Sequence, residues 1–181
     1  MKQFKDYFIL EQAVNLDDVI YGSYTVSSTG LVDVNGHVDL DNKQLTKIPF
    51  EFGNVSGNFS CEDNQLSSLK GSPIHVGGGF NCNDNELTTL EGAPETVGGY
   101  FTCSNNRLLT LKGAPKKVGG WVICYDNPDL YSIEDANIDR RKLEYDKKLV
   151  KQNAAWHKMQ TKTQLTPKEE QDAWSKVNSF F

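Results

Sequence analysis

Residues 80–100 read FNCNDNELTTLEGAPETVGGY, and residues 101–121 read FTCSNNRLLTLKGAPKKVGGW. This repetition limits the fold more than any other feature of the chain. Phe59, Phe80 and Phe101 are spaced by 21 residues. So are Cys61, Cys82, Cys103 and Cys124, and so are Asn64, Asn85, Asn106 and Asn127. Leu66, Leu87 and Leu108 keep the phase, as do Leu69, Leu90 and Leu111, then Pro73, Pro94 and Pro115, then Val76, Val97 and Val118. A degenerate copy precedes them, with Val38, Leu40, Leu45 and Ile48 in phase but Lys43 where asparagine is expected. The last copy is interrupted by Pro128 and stops after Leu130. A period of this length means stacked units that bury each other's apolar sides.

One unit can be read residue by residue. Phe80 and Cys82 alternate with polar residues, which marks a short strand with one face inside. Asn85 follows where the chain turns, and its amide can pair backbone groups that the turn leaves open. Stacked copies would make a ladder of Asn64, Asn85, Asn106 and Asn127. Each satisfied bond contributes about 1 kcal/mol net, and an unpaired buried group costs about 1–3 kcal/mol. Leu87 and Leu90 then point inward, and EGAPETVGG returns on the far side. Pro94 turns Ala93 away from helical geometry, so extended or polyproline-like backbone is expected there. Gly98 and Gly99 are expected to supply positive φ. In such a stack the cysteines form a row of small buried side chains. A row at steps of about 4.8 Å cannot gather four thiolates round one zinc ion, and parallel Cβ vectors do not suit disulfides.

The pattern F-x-C-x-x-N-x-L-x-x-L resembles the leucine-rich repeat, with Phe and Cys in the first two apolar slots. LKGAPKKVGG and LEGAPETVGG are similar to short repeats of tailed-bacteriophage proteins, and residues 24–53 resemble the lead-in of those proteins. The resemblance implies an α/β-type solenoid with a parallel strand ladder and a non-helical convex side. It implies three regions. Residues 1–20 form an N-terminal helix, residues 21–130 the solenoid with a hairpin cap, and residues 131–181 a helical cap or docking region. It also implies a concave binding face made of Asp39, Asp41, Ser60, Glu62, Asn81, Asn83, Thr102, Ser104, Ile123 and Tyr125. Trp121 and Tyr131 flank its apolar end. Trp121, Ile123 and Tyr125 either meet a partner or receive the C-terminal helices.

Residues 133–160 read as one amphipathic helix, with Tyr145, Leu149, Trp156 and Met159 near one stripe. Thr166, Pro167 and Glu169 open another helix that carries Trp174. Tyr145, Leu149, Trp156 and Trp174 are the helical docking candidates, and the same helices are open to self-association. MKQFKDYFILE resembles capsid-targeting peptides of internal head proteins in large tailed phages. There Ile9-Leu10-Glu11 would be a processing site, leaving a form that begins at Gln12.

Charge and motifs narrow the function. Residues 1–130 carry 16 acidic and 9 basic side chains, and residues 131–181 carry 8 and 10. An acidic body is a poor nucleic-acid binder. No apolar run reaches membrane-span length and no secretory signal is evident, so the expected compartment is a reducing cytoplasm. No phosphate loop, H-E-x-x-H, C-x-x-C or G-x-S-x-G occurs. Asp63, Asp84 and Asp126 recur before the ladder asparagine, but position 105 is Asn and the glycine-rich calcium repeat is absent, so a solvated turn is expected. His37, His75 and His157 are isolated from other ligand types in the sequence. The expectation is a non-enzymatic interaction protein with no cofactor, metal, small-molecule substrate, nucleic acid or membrane. It would bind and modulate or inhibit a host protein, a defence protein being one candidate, through its repeat surface or helical tail, in the cytoplasm of an infected cell. The alternative is an internal virion or assembly protein.

Overall fold

The computed structural model describes residues 14–134 and 140–161, together with Gln171 and Ser175. Among the described residues the chain forms a parallel-strand β-solenoid of about five turns, followed by a C-terminal helix, Lys147–Thr161. It opens with a 3-10 turn, Leu16–Asp18, and an antiparallel hairpin of β1 (Ile20–Val26) and β2 (Leu31–Asp39). Ile9, Leu10 and Glu11, most of the expected N-terminal helix, and most of the expected second C-terminal helix, Trp174 included, lie outside the described residues.

Two ladders run side by side from β2. Its first half pairs with β3 (Glu51–Val55) and its end with β4 (Phe59–Ser60). From β3 the first ladder continues through β5 (His75–Val76), β7 (Thr96–Val97) and β9 (Lys117–Val118). From β4 the second continues through β6 (Phe80–Asn81), β8 (Phe101–Thr102) and β10 (Val122–Ile123). The register pairs Phe59 with Phe80, Phe80 with Phe101 and Phe101 with Val122, so the sequence period is the physical repeat. The return segment, expected to be extended, is non-helical and carries the β5–β7–β9 ladder.

Each coil fills its interior with the same side chains. The Phe59 and Phe80 rings stack at 5.3 Å, and the Phe80 and Phe101 rings at 5.5 Å. Phe52 meets Phe59 edge-on at 5.2 Å and closes the row at the N-terminal side. The Leu66, Leu87 and Leu108 column, the Leu69, Leu90 and Leu111 column, and all four cysteines are buried with them. A fully buried Leu or Phe contributes about 1.5–3 kcal/mol relative to exposure, so the columns supply the main driving force.

The asparagines lock one coil to the one before it. Asn85 Oδ1 accepts from Leu66 N–H at 2.9 Å, and its Nδ2 donates to Cys61 O at 2.9 Å and Asn83 O at 2.9 Å. Asn106 repeats this with Leu87 N–H, Cys82 O and Ser104 O, and Asn127 with Leu108 N–H, Cys103 O and Tyr125 O. Asn64 reaches back to Leu45 N–H and Leu40 O, although the degenerate first coil has no ladder asparagine of its own.

Two expectations are corrected. First, residues 133–160 are not one helix. β11 (Leu143–Glu144) extends the second ladder, pairing Leu143 with Val122 and Glu144 with Ile123. The helix α1 (Lys147–Thr161) starts later, where Asp146 Oδ1 accepts from Lys148 and Leu149 N–H at 2.9 Å each. Leu143 is buried in the slot that Phe occupies in earlier coils, and that burial outweighs local helical preference.

Second, Gly98 and Gly99 do not have positive φ. Gly98 is needed for close approach, since a Cβ there would lie 2.1 Å from Gly77 O in the preceding coil, and one at Gly119 would lie 2.0 Å from Gly98 O. The turn before the ladder asparagine is left-handed. Asp63, Asp84, Asn105 and Asp126 all have φ between 51 and 55°, the left-handed region that Asn and Asp tolerate better than most residues. That requirement explains why Asn105 substitutes for Asp without breaking the column.

Charged side chains also pair between coils. Glu86, Glu91 and Glu95 of one coil face Arg107, Lys112 and Lys116 of the next, the lysine pairs at 2.8 and 3.0 Å. Lys112 and Lys116 draw the Glu91 and Glu95 carboxyls below their ordinary pKa through these bonds.

Two substitutions test this architecture by denaturant unfolding. Asn85→Ala strands Leu66 N–H in the interior and should cost about 3 kcal/mol, whereas exposed Gln65→Ala should cost under about 0.5 kcal/mol. Gly98→Ala should cost about 3 kcal/mol or more through the backbone clash. Gly30→Ala meets nothing within 4 Å and has only its φ of 87° against it, so it should cost about 1 kcal/mol. Equal losses for the two glycines would contradict close coil approach as the constraint.

Candidate binding face

The β4–β6–β8–β10 ladder alternates inward and outward along each strand. In the last copy Val122 and Cys124 are buried while Trp121, Ile123 and Tyr125 point out. The same positions in earlier coils give three outward columns. One holds Asp39, Ser60, Asn81, Thr102 and Ile123. The next holds Asp41, Glu62, Asn83, Ser104 and Tyr125. The third holds His37, Asn58, Gly79, Tyr100 and Trp121. The structure therefore brings together on one face all ten residues proposed from sequence.

Most of these side chains are tied to the next coil. Asp41 Oδ1 accepts from Ser60 Oγ at 2.6 Å and from Glu62 N–H at 2.7 Å. Asn81 Nδ2 donates to Glu62 Oε2 at 2.6 Å, and its Oδ1 accepts from Thr102 Oγ1 at 2.7 Å. Asn83 Oδ1 accepts from Ser104 N–H, and Ser104 Oγ accepts from Tyr125 N–H. Thr102 is buried, and Ser60, Glu62, Asn81, Asn83 and Ser104 are half-buried. The polar part of the face is rigid before any partner arrives. In the third column His37 Nδ1 accepts from Asn58 N–H at 2.9 Å, and Asn58 Oδ1 accepts from Gly79 N–H at 2.8 Å.

The C-terminal end of the face is aromatic. Tyr100, Trp121 and Tyr125 are 48%, 52% and 40% exposed. Tyr100 was not singled out from sequence, although it precedes Trp121 by one period. It lies over Gly79, where a Cβ would come within 2.6 Å of the ring. Gly79 thus leaves room for that ring. The described part of the C-terminal segment meets this end at its edge. Tyr125 OH donates to Glu144 Oε2 at 2.5 Å, which raises the phenol pKa. Lys142 Nζ donates to Gly119 O at 2.8 Å, and Asn153 of α1 donates to Pro128 O and Leu130 O. His157 of α1 stacks on Tyr131 at 3.9 Å. Beside these described contacts Trp121 and Tyr125 stay exposed. Of the helical docking candidates, Tyr145 precedes α1, Tyr145 and Leu149 are half-buried, and Trp156 is exposed.

A second outward surface was missed from sequence. A groove of about 760 Å³ lies over the β3–β5–β7–β9 ladder, between the Asn54, His75, Thr96 and Lys117 column and the hairpin residues Ser23, Tyr24 and Thr25. Its floor includes Gly77 and Gly98, and His75 Nδ1 pairs with Thr96 Oγ1 at 2.8 Å. The signal for it was the glycine column itself.

The cysteines face the core and are free thiols. Cys82 Sγ donates to Thr102 O at 3.2 Å, and Cys61 Sγ to Asn81 O at 3.4 Å. Burial pushes the Cys61 and Cys82 thiols up. Cys103 is raised too, by its hydrogen bond with Cys124 and then by burial. Among the described residues no group of three or more His, Cys, Asp or Glu is placed to hold a metal ion, and no helix is long and apolar enough to cross a membrane. The chain matches no protein-family model, and no curated protein or solved structure matches it either.

A thiol-reactive chromophore at neutral pH should therefore report almost no reactive cysteine in the native protein and four in denaturant. Rapid native labelling of any of the four would show that its coil opens.

Proposed function

We propose that this chain is a non-enzymatic protein-binding solenoid of the short leucine-rich-repeat type. In this reading it is encoded by a tailed bacteriophage and acts in the infected cell by binding and modulating a host protein. The β1–β2 hairpin and α1 serve as its two caps. The observation that carries the reading is the outer face of the β4–β10 ladder. Its polar columns are fixed by hydrogen bonds between coils, and it ends in Tyr100, Trp121 and Tyr125, left exposed. A rigid polar surface with aromatic anchors at one end suits protein recognition, because little side-chain entropy is lost on docking. The in-phase asparagines support the repeat type, and GAPKKVGG supports the phage source.

The test is capture of the tagged chain from infected cells, with mass spectrometry of what co-elutes. A parallel bait carries Ile123→Ala and Tyr125→Ala. One host protein, retained by the native chain and reduced about tenfold with the double variant, is the expected result. Capsid proteins, or a form beginning at Gln12, would move the assignment to the interior of the virion.

A further inference from the structure

The same face has a charge pattern that says what kind of protein segment it takes. Across the coils from His37 to Asp126, its three columns and the adjoining turn column contain Asp39, Asp41, Glu62, Asp63, Asp84 and Asp126. Within those coils no Lys or Arg occupies these columns, although the chain as a whole has 19 and Lys142 follows Trp121 one period on. The cations of the repeats, Lys43, Lys47, Lys70, Arg107, Lys112, Lys116 and Lys117, lie outside these columns. Lys112 and Lys116 are engaged with Glu91 and Glu95. At the corner beyond Trp121, Lys142 turns its ammonium to the Val118 and Gly119 carbonyls. The face is therefore unbalanced in one direction.

We infer that the face binds an extended, cationic protein segment lying along the solenoid axis. Arg or Lys side chains sit against Asp39, Asp41 and Glu62, and an aromatic or guanidinium group rests on Trp121 and Tyr100. This rests on the protein-binding reading above and adds the partner's chemistry. Coils repeat at about 4.8 Å, so the coil of Asp41 and the coil of Tyr125, four steps apart, are separated by about 19 Å. About six extended residues span that distance. Charge complementarity argues for a cation at the acidic end. Asp41 Oδ1 and Glu62 Oε2 are held by Ser60, the Glu62 amide and Asn81. Their carboxylates are thus positioned before the ligand arrives, and an incoming guanidinium does not have to order them. At the other end the exposed rings of Trp121 and Tyr100 offer π faces, where a cation or a second ring is favourable.

The probe is a random dodecapeptide library, selected against the immobilised full chain. The best peptide is then titrated by fluorescence anisotropy. Selected sequences should be rich in Arg and Lys with at least one aromatic. Their affinity should fall about tenfold with Trp121→Ala, about tenfold with Asp41→Asn/Glu62→Gln, and steeply with salt. Lys116→Ala, away from this face, should change it less than about twofold. The paired substitution keeps the acceptor oxygens that hold the columns, and thermal melts verify that each variant is folded. Selected peptides that depend on Trp121 but carry no excess of cations would overturn the cationic partner while leaving protein binding at this face intact. Self-association that competes with the peptides and resists high salt would assign the face to a second copy and overturn it as well. Failure to select any peptide sensitive to either variant would overturn both this inference and the reading it rests on.

Discussion

The joint between coils is the buried asparagine amide. A solenoid coil this short turns sharply after its strand, and the turn leaves backbone donors and acceptors facing the interior. One side chain supplies both missing partners, and it reaches them in the coil behind as well as in its own. The backbone bonds between coils then run in opposite senses in the two ladders. Cys61 N–H donates forward to Asn81 O, whereas Gly77 N–H donates backward to Val55 O. Every coil is thus held from both sides. The stacked Phe and Leu columns provide most of the favourable energy, but they tolerate sliding, and the amides fix the register.

How much of this was legible depended on whether a residue repeats. Phe, Cys, Asn and Leu at fixed phase gave the stacked coils, the inward and outward faces and the burial of the thiols. Asn and Asp at position 105 and its equivalents gave a turn, but not its left-handed backbone, because sequence shows composition and not φ. Gly98 marked a special position for a reason other than the one expected. Contact with the coil behind is a long-range fact that no local window contains. The largest miss was Leu143–Glu144. There residues 133–145, IEDANIDRRKLEY, kept the apolar spacing only in part and read locally as helix, and one buried leucine at the right spacing was enough to add a strand.

The candidate face was legible in outline, since alternation places Asp39 to Tyr125 on one side. What the sequence could not show was that its polar members are bonded to one another. That bonding separates the face into a stiff polar stretch and an exposed aromatic end. Tyr100 escaped notice because its equivalents are Asn58 and Gly79, so the column has no common residue type. Its role follows from the missing side chain beneath it.

The coil-to-coil ion pairs have a consequence for folding rather than for the folded state. As exposed pairs they contribute little, each about 0–1 kcal/mol. Yet residues 80–100 and 101–121 are so alike that a chain collapsing with one coil skipped would keep nearly every apolar contact. In that misassembly Lys112 would face Lys70 in place of Glu91. The alternation of Lys70, Glu91 and Lys112 in one column penalises the skipped arrangement. These charges act as addresses in a repetitive text, and they steer a search that the hydrophobic columns alone would leave degenerate.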